Sequence, residues 1–375
     1  MLDLLLTARA AESSPRPVPL AAALAQAAAT CGRLDQAAQN HPLRPALLFR
    51  ARLDAVRRMA AADGHRIDPW HLAALLEGLR LRMDSELRII DRGQIFAAAR
   101  HALGLHRWLV DPDFDQEGAV QRAAAHLHAQ ADHGGTLLTA GVAVHRWLDA
   151  GGARAPLRTA LVRHWQTRGV FSLPLPLTGA AALTPETPWD RDAWLPAFLT
   201  SLDAEAAATL DLLRGLERAW RTARTLIIGR RKNSHAAAAV DLLAAAPLLS
   251  ATSLAAALGI AVKNATRLLD EFCRDGIALD VTHRAKRRLF ALASLAPLRE
   301  AVAGPRRPAP FRGRGRPPLL RNEASETEME PPPRPPALPL ARAGFDYGDL
   351  DAALAAMEAT IRRTRSALER VGAGD

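Results

Sequence analysis

The sequence predicts a mainly α-helical protein: an N-terminal helical bundle followed by a C-terminal winged helix-turn-helix, a disordered proline-rich linker and a terminal amphipathic helix. Three observations carry that prediction. Before residue 225, apolar residues recur every three to five positions and β-branched clusters of period two are almost absent. Between Ser250 and Leu292, two helical patterns joined across Gly259 run into two short alternating segments. Between Pro305 and Pro339 stand 11 prolines, in a stretch too polar to bury a core.

The chain has 375 residues, room for two or three domains, and 49% of them are hydrophobic, which excludes global disorder. Cys31 and Cys273 are too few and too far apart for a disulfide framework or a four-cysteine zinc site, and they point to a reducing compartment. The opening Met1-Leu-Asp-Leu-Leu-Leu-Thr lacks a basic n-region and places Asp3 inside a very short apolar run, unlike a secretory signal. No stretch is long and apolar enough to span a bilayer. A soluble, cytoplasmic chain with no membrane partner is expected.

An Ala/Pro-rich arm over 1–40 leads into a helix near 20–31. A helical domain of unknown task follows over 41–203. Leu47, Leu48, Ala51, Val56 and Met59 mark its first helix, from Pro45; Leu72, Leu75, Leu76 and Leu79 mark a second, with Asp68 as N-cap and Pro69 as its first residue. Further helices are expected over 89–109, 116–131, 137–150 and 157–167, then a proline-rich loop over 173–196. A connecting helix is placed at 204–228, the winged helix-turn-helix at 229–298, the linker at 299–344 and the amphipathic helix at 345–375. In this last segment Leu350, Leu354, Met357, Ile361, Thr364 and Leu368 form a seam of under three heptads. Its apolar stripe needs a surface, either a second copy of the chain through 345–370 or the protein's own body.

Formal net charge is +10, and of the 49 basic residues only Lys232, Lys263 and Lys286 are lysines. Residues 1–220 hold 24 basic and 23 acidic side chains, 221–290 hold 12 against 5, 291–321 hold 7 against 1, and 322–375 hold 6 against 10. The whole excess therefore lies in 221–321. Such confinement is the footprint of a polyanion-binding module on a neutral body, or else of a basic solvated face.

The same region carries the strongest pattern. Ser250 or Thr252 caps a short helix whose Leu254 and Leu258 face inward; Gly259 supplies the turn, and Ile260 plugs the corner. The second helix, near 262–274, puts Ala265, Leu268, Leu269 and Phe272 on its buried side and Lys263, Asn264, Thr266, Arg267 and Asp270 outward. That is a helix-turn-helix with a polar reading face, preceded by a third helix near 234–245. Gly276 ends it, and the strand at 277–281, a basic turn with His283, Arg284 and Lys286, and a return through Arg287 and Arg288 make a wing. An ordinary αα-hairpin is the plainer alternative. Lys263, Asn264 and Arg267 are expected on base edges of double-stranded DNA, with Arg284, Lys286, Arg287 and Arg288 on phosphates or in the minor groove, and Arg230, Arg231, Lys232, Thr252 and His283 among the further DNA-binding residues.

Gly229-Arg-Arg-Lys-Asn-Ser, Pro247-Leu-Leu-Ser-Ala-Thr, Leu258-Gly-Ile and Lys286-Arg-Arg-Leu-Phe resemble the winged-helix tail that follows the catalytic domain of many Fic-family proteins. They are similar, too, to helix-turn-helix proteins of alphaproteobacteria, many of them plasmid-borne. The likeness covers roughly 210–292, with a looser one over 41–81. The Fic catalytic loop, His-Pro-Phe-x-Asp/Glu-Gly-Asn-Gly-Arg, has no counterpart here: His41-Pro-Leu-Arg lacks the glycine-rich anion loop, so nucleotidyl transfer is not implied.

In the linker, Arg314-Gly-Arg316-Pro matches the core of an AT-hook, whose two arginines follow a narrow A·T minor groove; a solvated basic linker is the alternative. The histidines at 101, 106, 126, 128, 133, 145 and 164 lack the spacing of a helical zinc site, and no metal or cofactor is expected. Five tryptophans between Trp108 and Trp194 suit core anchors better than a base-stacking platform. The expectation is a non-enzymatic, sequence-specific DNA-binding protein, a transcriptional regulator or plasmid-associated factor. Its rival is an enzyme or toxin-like helical body with an autoregulatory winged helix, which a pocket of convergent charged groups within 45–200 would favour.

Overall fold

The computed structural model describes residues 18–78, 89–131, 134–228, 235–281 and 288–295. The linker, the AT-hook-like element and the terminal amphipathic helix lie outside the described residues, as do 229–234 and 282–287. Among the described residues the chain is mainly helical with one small sheet, and no helix is long and apolar enough to cross a membrane.

Among the described residues seven helices precede the long one: α1 (Leu20–Ala38), α2 (Arg44–Ala62), α3 (Pro69–Leu76), α4 (Ile89–Val110), α5 (Phe114–His128), α6 (Thr136–Asp149) and α7 (Arg154–Thr167). Their ends follow local chemistry. Pro45 occupies the first turn of α2, where its missing N–H costs nothing. Asp113 opens α5 with a reciprocal capping box to Gln116. A 3-10 turn, Ala180–Leu183, then leads to α8, Arg191–Leu226, a single helix of 36 residues. The sequence pattern starts this helix at 204, with a loop up to Pro196. In the structure Asp190 caps it well before that, accepting from the amides of Asp192 and Ala193, and Pro196 sits inside its second turn.

Helix α8 is the axis of the molecule. Its first half, through Trp194, Phe198, Leu202, Ala206 and Leu210, belongs to the large core, where it lies along Ala23, Ala27, Leu34 and Ala38 of α1. The small residues of α1 let the two backbones approach closely. Trp165 and Trp194 are fully buried and donate their indole N–H groups to the carbonyls of Leu177 and Ala182. The second half of α8, through Leu216, Ala219, Trp220 and Ala223, enters a second core.

That second core holds α9 (Ala236–Ala245), β1 (Leu249–Ser250), α10 (Ala251–Leu258), α11 (Val262–Arg274), β2 (Ala278–Asp280) and β3 (Leu289–Leu292). The strands form an antiparallel sheet in the order β1-β3-β2, with Leu249 opposite Phe290 and Leu279 opposite Ala291.

This C-terminal head is joined to the body by buried contacts. Leu43 and Ala46 contribute to its core, and Ala73 and Ala74 pack on Leu248, Val281, Leu289 and Ala291. Arg50 of α2 is buried and donates to the carbonyls of Leu243, Ala244 and Ala246, at 3.2, 2.7 and 3.2 Å, where α9 ends. A cation at that end complements the helix dipole. Burial pulls its guanidinium down to about 9, so it stays charged at neutral pH. Asp241 accepts from the Trp220 indole at 2.6 Å and from Arg224 at 2.9 and 3.1 Å, tying α9 to α8.

Candidate functional site

The corner between α10 and α11 is built from backbone geometry. The Ser250 hydroxyl, not Thr252, caps α10 by accepting from the Ser253 amide at 3.0 Å. Gly259 ends that helix at φ +66°, a left-handed conformation that costs a residue with a Cβ about 1 kcal/mol. The Ile260 amide then returns to the Ala255 carbonyl, and Ile260 packs against the second core.

Helix α11 is strongly two-faced. Ala265, Leu269 and Phe272 are wholly buried, and Leu268, expected with them, is only partly so. Val262, Lys263, Asn264 and Arg267 are exposed, and Thr266 is half-exposed with its hydroxyl donating to the Val262 carbonyl. Thr252 is exposed on α10. The structure therefore brings Lys263, Asn264 and Arg267 together on one open face. Arg230, Arg231, Lys232, His283, Arg284, Lys286, Arg287, Arg314 and Arg316 lie outside the described residues.

Arg288 is engaged within the fold. Its Nε donates to Asp280 at 2.6 Å, another nitrogen donates to Asp270 at 2.6 Å, and the guanidinium lies 4.7 Å from the centre of the Phe290 ring. Burial works against its charge, but the two carboxylates outweigh that and hold the guanidinium above its ordinary value. Arg288 thereby ties the base of β3 to α11. Asp270, expected among the outward groups, is its partner.

A residue from the body joins this corner. Glu77, just beyond α3, accepts from the Ser250 amide at 3.2 Å and from the Ser253 hydroxyl at 2.7 Å. Burial raises its carboxyl, and these donors oppose the rise. Nothing local marks Glu77 in the sequence, because its partners stand 173 and 176 residues further along the chain.

No protein-family model matches this chain, and no curated protein is similar to it.

The body contains a second feature of note, a cleft of about 1200 Å³ between the end of α2, the start of α4, the 3-10 turn and α8. Two of its carboxylates, the half-buried Asp63 and the buried Glu205, are both occupied. Asp63 accepts two bonds from Arg158, at 2.6 and 2.9 Å, one from Arg154 at 3.0 Å, and pairs with His101 at 3.0 Å. Burial alone would raise its carboxyl; Arg158, His101 and Arg154 outweigh it and hold it at about 2. Glu205 accepts from the amides of Thr178, Gly179 and Ala180, anchoring the 3-10 turn to α8. Gly179, at φ +65°, lies against the Phe198 ring so closely that a Cβ would collide with it.

Four other described histidines are built into the packing of the body. His126 bonds the Ala143 carbonyl, His145 bonds the Trp189 carbonyl and stacks on its ring, and burial lowers His106 and His164 to about 4. Among the described residues no three potential metal ligands gather.

Proposed function

We propose that this chain is a sequence-specific double-stranded DNA-binding protein, a transcriptional regulator or plasmid-associated factor, whose C-terminal head is a winged helix-turn-helix. The observation that carries the reading is α11: its apolar face is locked into the second core, and it holds Lys263, Asn264 and Arg267 out on one open face. The order helix, strand, helix, glycine turn, helix, strand, strand suits a winged head, and α10 before α11 suits a helix that crosses the DNA backbone while its successor enters the major groove. Bases are read by Lys263, Asn264 and Arg267; Thr252 and the wing cations His283, Arg284, Lys286 and Arg287 contact the backbone, with Arg230, Arg231 and Lys232 at its edge. Arg314 and Arg316 extend the contact along an A·T minor groove, and 345–370 supplies a dimer contact that matches a two-fold operator.

The test is a salt titration of DNA binding by fluorescence anisotropy. Arg287→Ala lowers the salt slope by about one unit on any DNA, whereas Arg267→Ala costs roughly 1–3 kcal/mol on the preferred site only. Unchanged binding in both variants overturns the reading.

The cleft between α2 and α8 favours a second reading, a helical body with an activity of its own. Against a catalytic part stands the occupancy of Asp63 and Glu205, which leaves neither carboxylate free to take a proton from a substrate. What the inner wall of the cleft offers is donors.

A further inference from the structure

We propose that the cleft of the helical body is a binding site for a small organic carboxylate with an apolar body. Its two inner acids, Asp63 and Glu205, are already engaged, and the exposed Glu186 stands beside Arg66, so the character of the inner wall is set by the groups that still have hydrogens to give. Arg58, on the last turns of α2, has a buried Nε with no hydrogen-bond partner and approaches the already satisfied Glu205 only at 3.9 Å. Ser201 on α8 is 6% exposed; its oxygen accepts from the Ala181 amide at 3.1 Å, which leaves its own proton to donate. Arg66 is exposed and stands at the mouth.

A guanidinium, a buried hydroxyl and a second guanidinium at the entrance match a carboxylate, which accepts from several donors at once. Much of the remaining wall is small and apolar, including Ala98, Pro185, Ala204 and Ala208, and this suits a compact hydrocarbon or ring. An inorganic anion would leave that wall wet, and a neutral amide would offer Arg58 one uncharged acceptor in place of a charged pair of oxygens. The site needs no DNA-binding activity to exist. It does sit on the helix that holds the head: Arg58 follows Arg50 by eight residues, about 12 Å along α2. A ligand that draws on Arg58 therefore acts on the element whose Arg50 grips α9.

The experiment is calorimetric titration of the full chain with benzoate and with cyclohexanecarboxylate, alongside benzamide and inorganic phosphate at matched ionic strength. Saturable binding of at least one carboxylate, weakened about tenfold or more by Arg58→Gln, is expected, with a smaller loss in Arg66→Gln and little binding of benzamide or phosphate. Circular dichroism checks that Arg58→Gln folds, and the exposed Arg66→Gln keeps the test decisive if it does not. No saturable binding of either carboxylate, equal binding of benzamide or phosphate, or unchanged affinity in both variants overturns the proposal.

Discussion

Replacing Asp63 by Asn removes one negative charge from beneath two guanidiniums, one of which, Arg158, is 1% exposed. The substituted amide keeps one acceptor oxygen but turns its own hydrogens toward cations. Removing one partner of a buried ion pair costs about 3–5 kcal/mol, because the other charge is left without a counter-ion. The lowered carboxyl supplies a second figure. The Asp63 carboxyl is lowered from 3.8 to about 2, so its pairing stabilises the fold above pH 3.8 and is lost as pH falls toward 2; the full shift is worth about 2 kcal/mol. Arg154 and His101 remain partly wet and can be resolvated, so the lower part of the combined range, about 2–4 kcal/mol, is expected at pH 7. Urea unfolding of the parent and Asp63→Asn, followed by circular dichroism at pH 7, 5 and 3, measures it. Because Asn does not titrate, the part of the gap due to ionisation should shrink from about 2 kcal/mol at pH 5 to about 1 at pH 3. A gap below about 1 kcal/mol at pH 7, or one that stays constant with pH, would refute the assignment of Asp63 as the charge that holds α2 to α7.

Gly179→Ala should destabilise the body by about 2–4 kcal/mol in the same assay, since a left-handed φ and the Phe198 ring both oppose a methyl group; a loss within about 0.5 kcal/mol would show that the 3-10 turn can shift freely. Arg288→Met should lower stability by about 1–2 kcal/mol while leaving the salt slope of DNA binding unchanged, and a slope reduced by about one would return Arg288 to the phosphates. Glu77→Gln keeps an acceptor for Ser250 and Ser253 but removes a negative charge beside α10. It should raise DNA affinity about two- to threefold at low salt and not at high salt, and a salt-independent effect would point to altered packing instead.

What can be read from sequence is what the chain writes locally. Gly259, Ile260 and the buried trio Ala265, Leu269 and Phe272 lie within one short stretch, and helical periodicity suffices to place them. The two-residue strand β1 carries no such period. It exists because Leu249 and Ser250 find partners in Phe290 and Leu289, far along the chain. Arg50 and Arg288 look like any other arginine in an arginine-rich chain. Only the fold shows that one ends in buried carbonyls and the other between two aspartates. The cleft is hidden from sequence for the same reason: Asp63 lies 95 residues before Arg158, and Glu205 25–27 residues after the amides it accepts from. The start of α8 is misplaced by sequence because Pro196 suggests a loop, whereas the Asp190 cap has already committed the helix.

The union of head and body bears on how such a protein can change over generations. A reading head on a slack tether can be exchanged between genes by recombination, since either half folds without the other. Here Leu43, Ala46, Arg50 and Glu77 belong to one side of any such cut and their partners to the other. A chimaera that grafted 235–295 onto a foreign body would strand three carbonyls at the end of α9 and bare the faces of Leu248 and Leu289 to water. If the head reads DNA as proposed, new target preferences would arise by point substitution along the open face of α11, with head and body inherited together.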